Sequence, residues 1–155
     1  MKIKIREARD ADEEAVKSVI ASALKDRYGP TAKVDEWKPF NEYKIFYVAE
    51  GNGVILGTAG LIEYKKDAPQ LKKMYVQPGL QRGGIGSGLF EKIEEYARGK
   101  NFRRIVLTTL PEMTAGIDFY KKHGFRIIDE PDLKTKDPSK ADIRKKQICM
   151  EKIIS

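Results

Sequence analysis

The chain holds a single cysteine, Cys149. That excludes an internal disulfide framework and any cysteine-cluster metal site, and no metal is expected. No apolar run approaches the roughly 20 residues needed to span a bilayer. The opening Met1-Lys2-Ile3-Lys4-Ile5 alternates charged and apolar residues as an amphipathic strand does, whereas a secretory signal needs a continuous apolar stretch. A cytoplasmic location is the expectation that follows. Internal repeats and inter-domain linkers are also missing. With 155 residues the chain reads as one domain, 1–155, with a sizeable core.

Charge of one sign is in excess but nowhere concentrated. Thirty lysines and arginines stand against 23 acidic residues, a formal net charge of +7. A basic balance can mean a nucleic-acid partner. Here the positive residues are spread along the chain among Asp and Glu, with no aromatic-basic stripe of the single-strand-binding kind. A solvated, lysine-rich surface accounts for them. A basic entrance that attracts phosphates is compatible with it.

The pattern of apolar residues predicts a mixed α/β sheet. Lys2 to Arg6 reads as an edge strand. Asp10 or Asp12 can cap a helix to about Lys25 that buries Ala15, Val16, Val19, Ile20, Ala23 and Leu24. Tyr28-Gly29-Pro30 ends it, and Thr31 to Tyr43 is irregular or a short helix around Trp37. Ile45 to Ala49 and Val54 to Tyr64 are strands joined by Gly51-Asn52-Gly53, a hairpin signal. Gly57 and Gly60 within the second strand suggest a bulge or a close backbone approach. Leu71 to Val76 is the next strand and Pro78 stops it. Later come a helix over Leu89 to Ala97, a strand over Arg104 to Leu110 and a short helix over Thr114 to Lys122. Strands at Phe125 to Ile128 and Gln147 to Ile154 close the chain. Asp129 to Lys146 is long and polar, and reads as a surface loop or as a flap over a binding site.

One segment carries chemistry: Gln81-Arg82-Gly83-Gly84-Ile85-Gly86-Ser87-Gly88. It follows a strand and opens a helix. The first N–H groups of a helix lack intrahelical partners, and the helix dipole adds partial positive charge there. Glycines let the backbone approach a pyrophosphate, and Arg82 adds a charged donor. The segment argues for a phosphate-bearing cofactor, although a plain glycine-rich turn has the same composition. It is not a P-loop, which needs Gly-Lys-Ser/Thr. Nor is it the dinucleotide fingerprint, because Leu89 stands where a third glycine belongs and no acidic residue follows at the expected distance.

Lys72-Lys73-Met74-Tyr75-Val76-Gln77-Pro78-Gly79-Leu80-Gln81-Arg82-Gly83-Gly84-Ile85-Gly86 resembles the acyl-CoA motif of the GNAT superfamily of N-acetyltransferases. A second block, Ile117-Asp118-Phe119-Tyr120-Lys121-Lys122-His123-Gly124-Phe125, resembles that family's helix bearing a tyrosine followed by Gly-Phe. The spacing leaves room for one helix and one strand between them. Ile5-Arg6-Glu7-Ala8 and Met150-Glu151-Lys152 are similar to the family's ends. The resemblance implies a single GNAT-like domain with a mostly antiparallel central sheet flanked by helices, and a splayed strand pair at the acyl-CoA site. It implies acetyl-CoA as co-substrate and direct acetyl transfer to a primary amine.

The resemblance also implies roles. Main-chain groups of Met74, Tyr75 and Val76 take the pantetheine and the thioester carbonyl. Gln81, Arg82, Gly83, Gly84, Ile85, Gly86 and Ser87 hold the pyrophosphate. Tyr120 protonates the departing thiolate, which suits a phenol of pKa ≈ 10, or else it merely packs with Phe119 and Phe125. The family often has an asparagine seven residues before that tyrosine. Met113 stands there, so Thr114 is the candidate for the same cofactor contact. The family's strand glutamate is missing, its place taken by Gln70. Glu63 is the nearest candidate base, with an ordinary solvated glutamate or a water chain as alternatives. His123, the only histidine, fits a helix C-terminal cap better than a base. Cys149 reads as a buried thiol. The acceptor, a small molecule or a protein amine, is not legible. Family members are often dimers, so a homodimer is a further expectation. A non-catalytic acyl-CoA-binding module and a nucleic-acid binder are the competing readings.

Overall fold

The computed structural model describes residues 1–31 and 37–155. Seven strands form one sheet: β1 (Ile3–Glu7), β2 (Ile45–Gly51), β3 (Val54–Lys65), β4 (Ala68–Val76), β5 (Arg104–Thr109), β6 (Arg126–Ile128) and β7 (Ile148–Ile153). Four helices accompany them: α1 (Glu13–Tyr28), α2 (Ile85–Gly99), α3 (Thr114–Lys122) and α4 (Ala141–Lys146). The spatial order is β1-β2-β3-β4-β5-β7-β6. Every neighbouring pair is antiparallel except β4 and β5, which α2 connects in parallel. The expected mixed, mostly antiparallel sheet with β1 at its edge is what forms.

Alternation along the strands distributes the core between two faces. Val48 joins Val16, Val19, Ile20, Phe46 and Ile55 in the cluster beneath α1. Its neighbour Ala49 joins Leu61, Leu71, Leu89, Phe90, Ile93 and Ile105 in the cluster beneath α2. Successive strand residues point to opposite faces, so the two helices cover opposite sides of the sheet. Leu61, Leu89, Ile93 and Ile105 are fully buried. At about 25 cal/mol per Å² of apolar area, each such side chain contributes on the order of 2 kcal/mol.

Several boundaries move for identifiable reasons. α1 continues past Lys25 to Tyr28, because Gly29 (φ 88°) is the first residue that breaks it. Ala15 faces solvent rather than the core. Asp12 does not cap α1: its carboxylate turns back to the Arg9 N–H at 2.7 Å and to Arg6 at 2.8 and 3.0 Å. β4 starts at Ala68, and Pro69, which has no N–H, lies in a bulge where the pairing shifts between Ile62↔Gln70 and Lys65↔Ala68. Of the Thr31 to Tyr43 stretch, 32–36 lie outside the described residues, and Phe40–Glu42 forms one 3₁₀ turn.

The long polar segment after β6 is folded. It makes two 3₁₀ turns and α4, and Leu133 is buried with Val106 and Cys149. Arg144 donates to the carbonyls of Pro131, Lys134 and Thr135 and closes the segment on itself. Gln147 accepts from the Thr135 N–H at 2.8 Å. Its glutamine amide also lies 3.4 Å from the Thr108 hydroxyl on β5.

Candidate functional site

The site begins with a defect in β4. Thr58 pairs with Tyr75 and Gly60 with Lys72, so Lys73 and Met74 together oppose Ala59 alone. This is a β-bulge, and Lys73 carries it in left-handed backbone, φ 57°. Thr58, fully buried, donates its hydroxyl to the Lys73 carbonyl at 2.6 Å and pins the bulge. On the other side of β4, ladder pairing with β5 consists of one pair, Gln70↔Val106. Beyond it the two parallel strands part, leaving the β5-facing edge of Met74, Tyr75 and Val76 outside the ladder. The splay implied by the family resemblance is therefore present.

A charge network holds the closed end of that wedge. Arg104, at the start of β5, forks onto Glu130 at 2.9 and 3.1 Å and reaches Glu151 at 3.2 Å. Tyr64 of β3 donates to Glu130 at 2.5 Å, and Arg126 pairs with Glu151 at 2.6 Å. The Arg104 hydrogen bond holds the Glu130 carboxyl below its ordinary value, while burial raises the Tyr64 phenol. The strands are thus tied where they must stay together and free where they part.

The glycine segment lies at the open end. Gln81 folds back on it, accepting from the Gly79 N–H at 3.0 Å and donating to the Val76 carbonyl at 3.2 Å. Arg82 (φ 76°) and Gly84 (φ 85°) take left-handed backbone on either side of Gly83. Such turns bring successive N–H groups to one side. Gly84 is the N-cap of α2, and no side chain caps that helix; its first turn contains no acidic residue. The first N–H groups of α2 are left for an outside acceptor, which is what an anion requires. Gln81 through Gly84 are exposed, whereas Ile85 is buried and anchors the turn in the core. A Cβ on Gly57 would meet Leu89 at 2.9 Å, so this glycine lets α2 lie close on β3. A Cβ on Gly60 would meet Phe46 at 2.8 Å.

α3 grips the same turn from the other side. A Cβ on Gly86 would sit 3.3 Å from the Phe119 ring and 3.6 Å from Met74 Cε. Four residues on, His123 stacks on Phe119 (4.4 Å between centroids) and on Phe90 (5.2 Å), and its Nε2 lies 3.1 Å from Ser87 Oγ. Burial, and then nearby Lys152, lower the His123 imidazole below its ordinary 6.5. His123 does close α3, as its C-cap. Its contact with Ser87 joins positions 36 apart in the chain, a pairing with no sequence signal.

Tyr120 sits between these parts, edge-on to Phe119 and Phe125 at 5.6 Å each. Burial first, then the neighbouring Tyr75, raise its phenol above the ordinary 10. Packing partner and protonated donor are both compatible with that setting. Across the mouth, the end of α1 meets the start of α3. The Tyr28 hydroxyl donates to Met113 Sδ at 2.6 Å. Arg27 Nη1 lies 4.0 Å from where a Gly116 Cβ would be, and Tyr120 Cε2 lies 3.9 Å from the same point. Thr114 is exposed in the first turn of α3.

Glu63 is not brought to this place. It lies in the bulge opposite Pro69, five residues along β3 from Thr58, or roughly 16 Å at strand rise. Its side chain is 77% exposed and its ion partner is Lys44 at 4.0 Å. Cys149 is buried and donates its thiol to the Glu130 carbonyl at 3.4 Å. Among the described residues, no helix is long and apolar enough to cross a membrane, and no acidic, cysteine or histidine side chains cluster in a way that could hold a metal.

Comparison with known proteins agrees with this geometry. The model of the acetyltransferase (GNAT) family matches residues 13–125. An "IAA acetyltransferase" of Azospirillum brasilense is 33% identical over 81 residues, covering 52% of this chain and 53% of that protein. The chain spans about half or less of the length of the curated relatives it matches. A GNAT-family acetyltransferase from Staphylococcus aureus superposes with a TM-score of 0.83 at 27% identity, over 99% of this chain and 100% of that one. The PaiA N-acetyltransferase of Thermoplasma acidophilum, in complex with coenzyme A, shares the fold with a TM-score of 0.79 at 21% identity, over 99% of each chain. With the family model spanning both the bulged strand and the glycine turn, the chain belongs to the GNAT family of acetyltransferases.

Proposed function

We propose that this protein transfers the acetyl group of acetyl-CoA directly to a primary amine in a ternary complex. The observation that supports it most is one juxtaposition. A bulged strand parts from its parallel neighbour directly before an uncapped, glycine-turned helix N-terminus. The α2 amides, Arg82 and Ser87 would hold the pyrophosphate of acetyl-CoA. The β5-facing edge of Met74, Tyr75 and Val76 would receive the pantetheine, and a main-chain N–H there would stabilise the thioester carbonyl oxygen as it gains charge. Acetyl-CoA, when bound, supplies the activated acyl group.

The remaining chemistry is proton movement. The amine nitrogen forms the new bond to the carbonyl carbon as the carbon–sulfur bond breaks. Tyr120, kept protonated by burial, gives its proton to the departing sulfur. The amine's proton goes to water, because Glu63 stands at the far end of β3, and water returns a proton to the Tyr120 phenolate. Thr114, at the open end of α3, is retained as an outer contact for the cofactor.

Calorimetric titration with acetyl-CoA tests the site. Micromolar one-to-one binding is expected, and loss of it in Gly86→Glu, which drives a side chain into Phe119 and puts negative charge among the α2 amides. Absence of binding at millimolar acetyl-CoA overturns the proposal. Binding without CoA release for any amine would replace it with a non-catalytic acyl-CoA module.

A further inference from the structure

Arg27 is an arginine without a partner among the described residues, near the residue assigned to acid catalysis. It lies in the last turn of α1. Its guanidinium approaches Gly116 across the mouth of the wedge, Nη1 lying 4.0 Å from where a Gly116 Cβ would be, with Tyr120 Cε2 3.9 Å from the same point. The Tyr120 phenol senses its charge. Among the described residues Arg27 makes no hydrogen bond and no ion pair. On β1 and at the start of α1 the basic side chains are paired, Arg6 with Asp12 and Glu50, and Lys17 with Glu13. Burial, and then Glu112, raise the phenol of neighbouring Tyr28, and among the described residues Glu112 does not pair with Arg27.

A guanidinium in that position acts on an amine acceptor in two ways. It disfavours a second positive charge, so it penalises polycationic acceptors and favours the neutral, nucleophilic form of the amine. It also offers a planar fork that matches a carboxylate. We propose that Arg27 is an anion subsite for the acceptor, and that the acceptor is a carboxylate-bearing primary amine of the amino-acid kind. This inference rests on the acetyl-transfer reading. It adds the acceptor's chemical class, which neither the glycine turn nor the bulged strand addresses.

The test measures CoA release with matched pairs, each a free amino acid and the corresponding amino-acid amide. The wild type, Arg27→Gln and Arg27→Lys are compared. The carboxylate-to-amide ratio of kcat/KM is read in each protein, and comparing ratios between proteins cancels the different basicities of the two amines. The wild-type ratio is expected to exceed that of Arg27→Gln by about two- to fivefold, the scale of one solvent-accessible ion pair. The change should lie in the acceptor KM, and Arg27→Lys should keep part of it. A ratio equal in wild type and Arg27→Gln overturns the role of Arg27 while leaving acetyl transfer intact. CoA release with neither member of any pair, in a protein that releases CoA with another primary amine, overturns this inference and leaves acetyl transfer intact, whereas release with no amine at all overturns both.

Discussion

Thr58 is the residue on which the bulge depends, and two substitutions separate its contributions. Thr58→Val keeps volume and removes the 2.6 Å hydrogen bond to the Lys73 carbonyl. A partly buried carbonyl that loses this donor costs about 1–3 kcal/mol, and the methyl that replaces the hydroxyl returns at most about 0.8 kcal/mol. With that offset the net loss is about 0.2–2 kcal/mol. For a chain of this length, 1 kcal/mol moves Tm by about 2–4 °C, so a fall of up to about 8 °C is expected. Thr58→Ser keeps the hydroxyl and loses one buried methyl, about 1 kcal/mol. The two variants should therefore melt within a few degrees of each other. Their affinities should not match. Without its pin the β4 bulge relaxes toward regular pairing, and a one-residue slip turns Met74 and Tyr75 to the wrong faces. Thr58→Val should weaken acetyl-CoA binding about tenfold or more, with Thr58→Ser near wild type. Thermal melts and calorimetry on the same preparations provide both readouts. Wild-type acetyl-CoA affinity in Thr58→Val would refute the claim that this hydrogen bond shapes the site.

Tyr120→Phe should lower kcat by about 10²-fold with unchanged acetyl-CoA affinity, since general acids contribute about 10²–10⁴; an unchanged kcat assigns Tyr120 to packing alone. Leu89→Ala, in the fully buried contact of α2 with β3, should cost about 2–5 kcal/mol in denaturant unfolding. Glu130 titrates below its ordinary 4.5 because Arg104 holds it ionised. Its stabilisation is complete above that value and is lost as pH falls through its lower folded value, so the stability gap between wild type and Glu130→Gln should shrink in acid unfolding below pH 4.5. His123 is held below its ordinary 6.5, so an unfolded chain takes up that proton first and stability falls as pH drops below 6.5. His123→Asn should flatten that part of the stability profile, with Glu91, Glu94 and Lys152 as the other charges facing the ring.

The elements and the cofactor segment were legible because their causes are local. Asn52-Gly53 takes the positive φ values that close a hairpin, the period of Leu89, Phe90 and Ile93 sets the buried face of α2, and glycines mark a turn opening a helix. The two blocks around Gly84 and Tyr120 carried the family, since each is a contiguous run of residue types. The polar segment after β6 was harder, because the burial of Leu133 and the inward turn of Arg144 depend on a floor supplied by β5 and β7.

What only tertiary structure decided is how distant residues meet. Glu63 resembles a usable base in sequence, but the Pro69 bulge and its distance from Thr58 leave it at the closed end, in solvent. Thr58 reads as one more strand residue until a backbone carbonyl fifteen positions away comes within 2.6 Å. Arg27 reads as a helix-ending cation until α3 brings Gly116 and Tyr120 against it. Sequence determines secondary structure and the phosphate turn through forces that act within a few residues. The wedge and its charged mouth arise from where two strands stop pairing, a property of register between segments that no single segment contains.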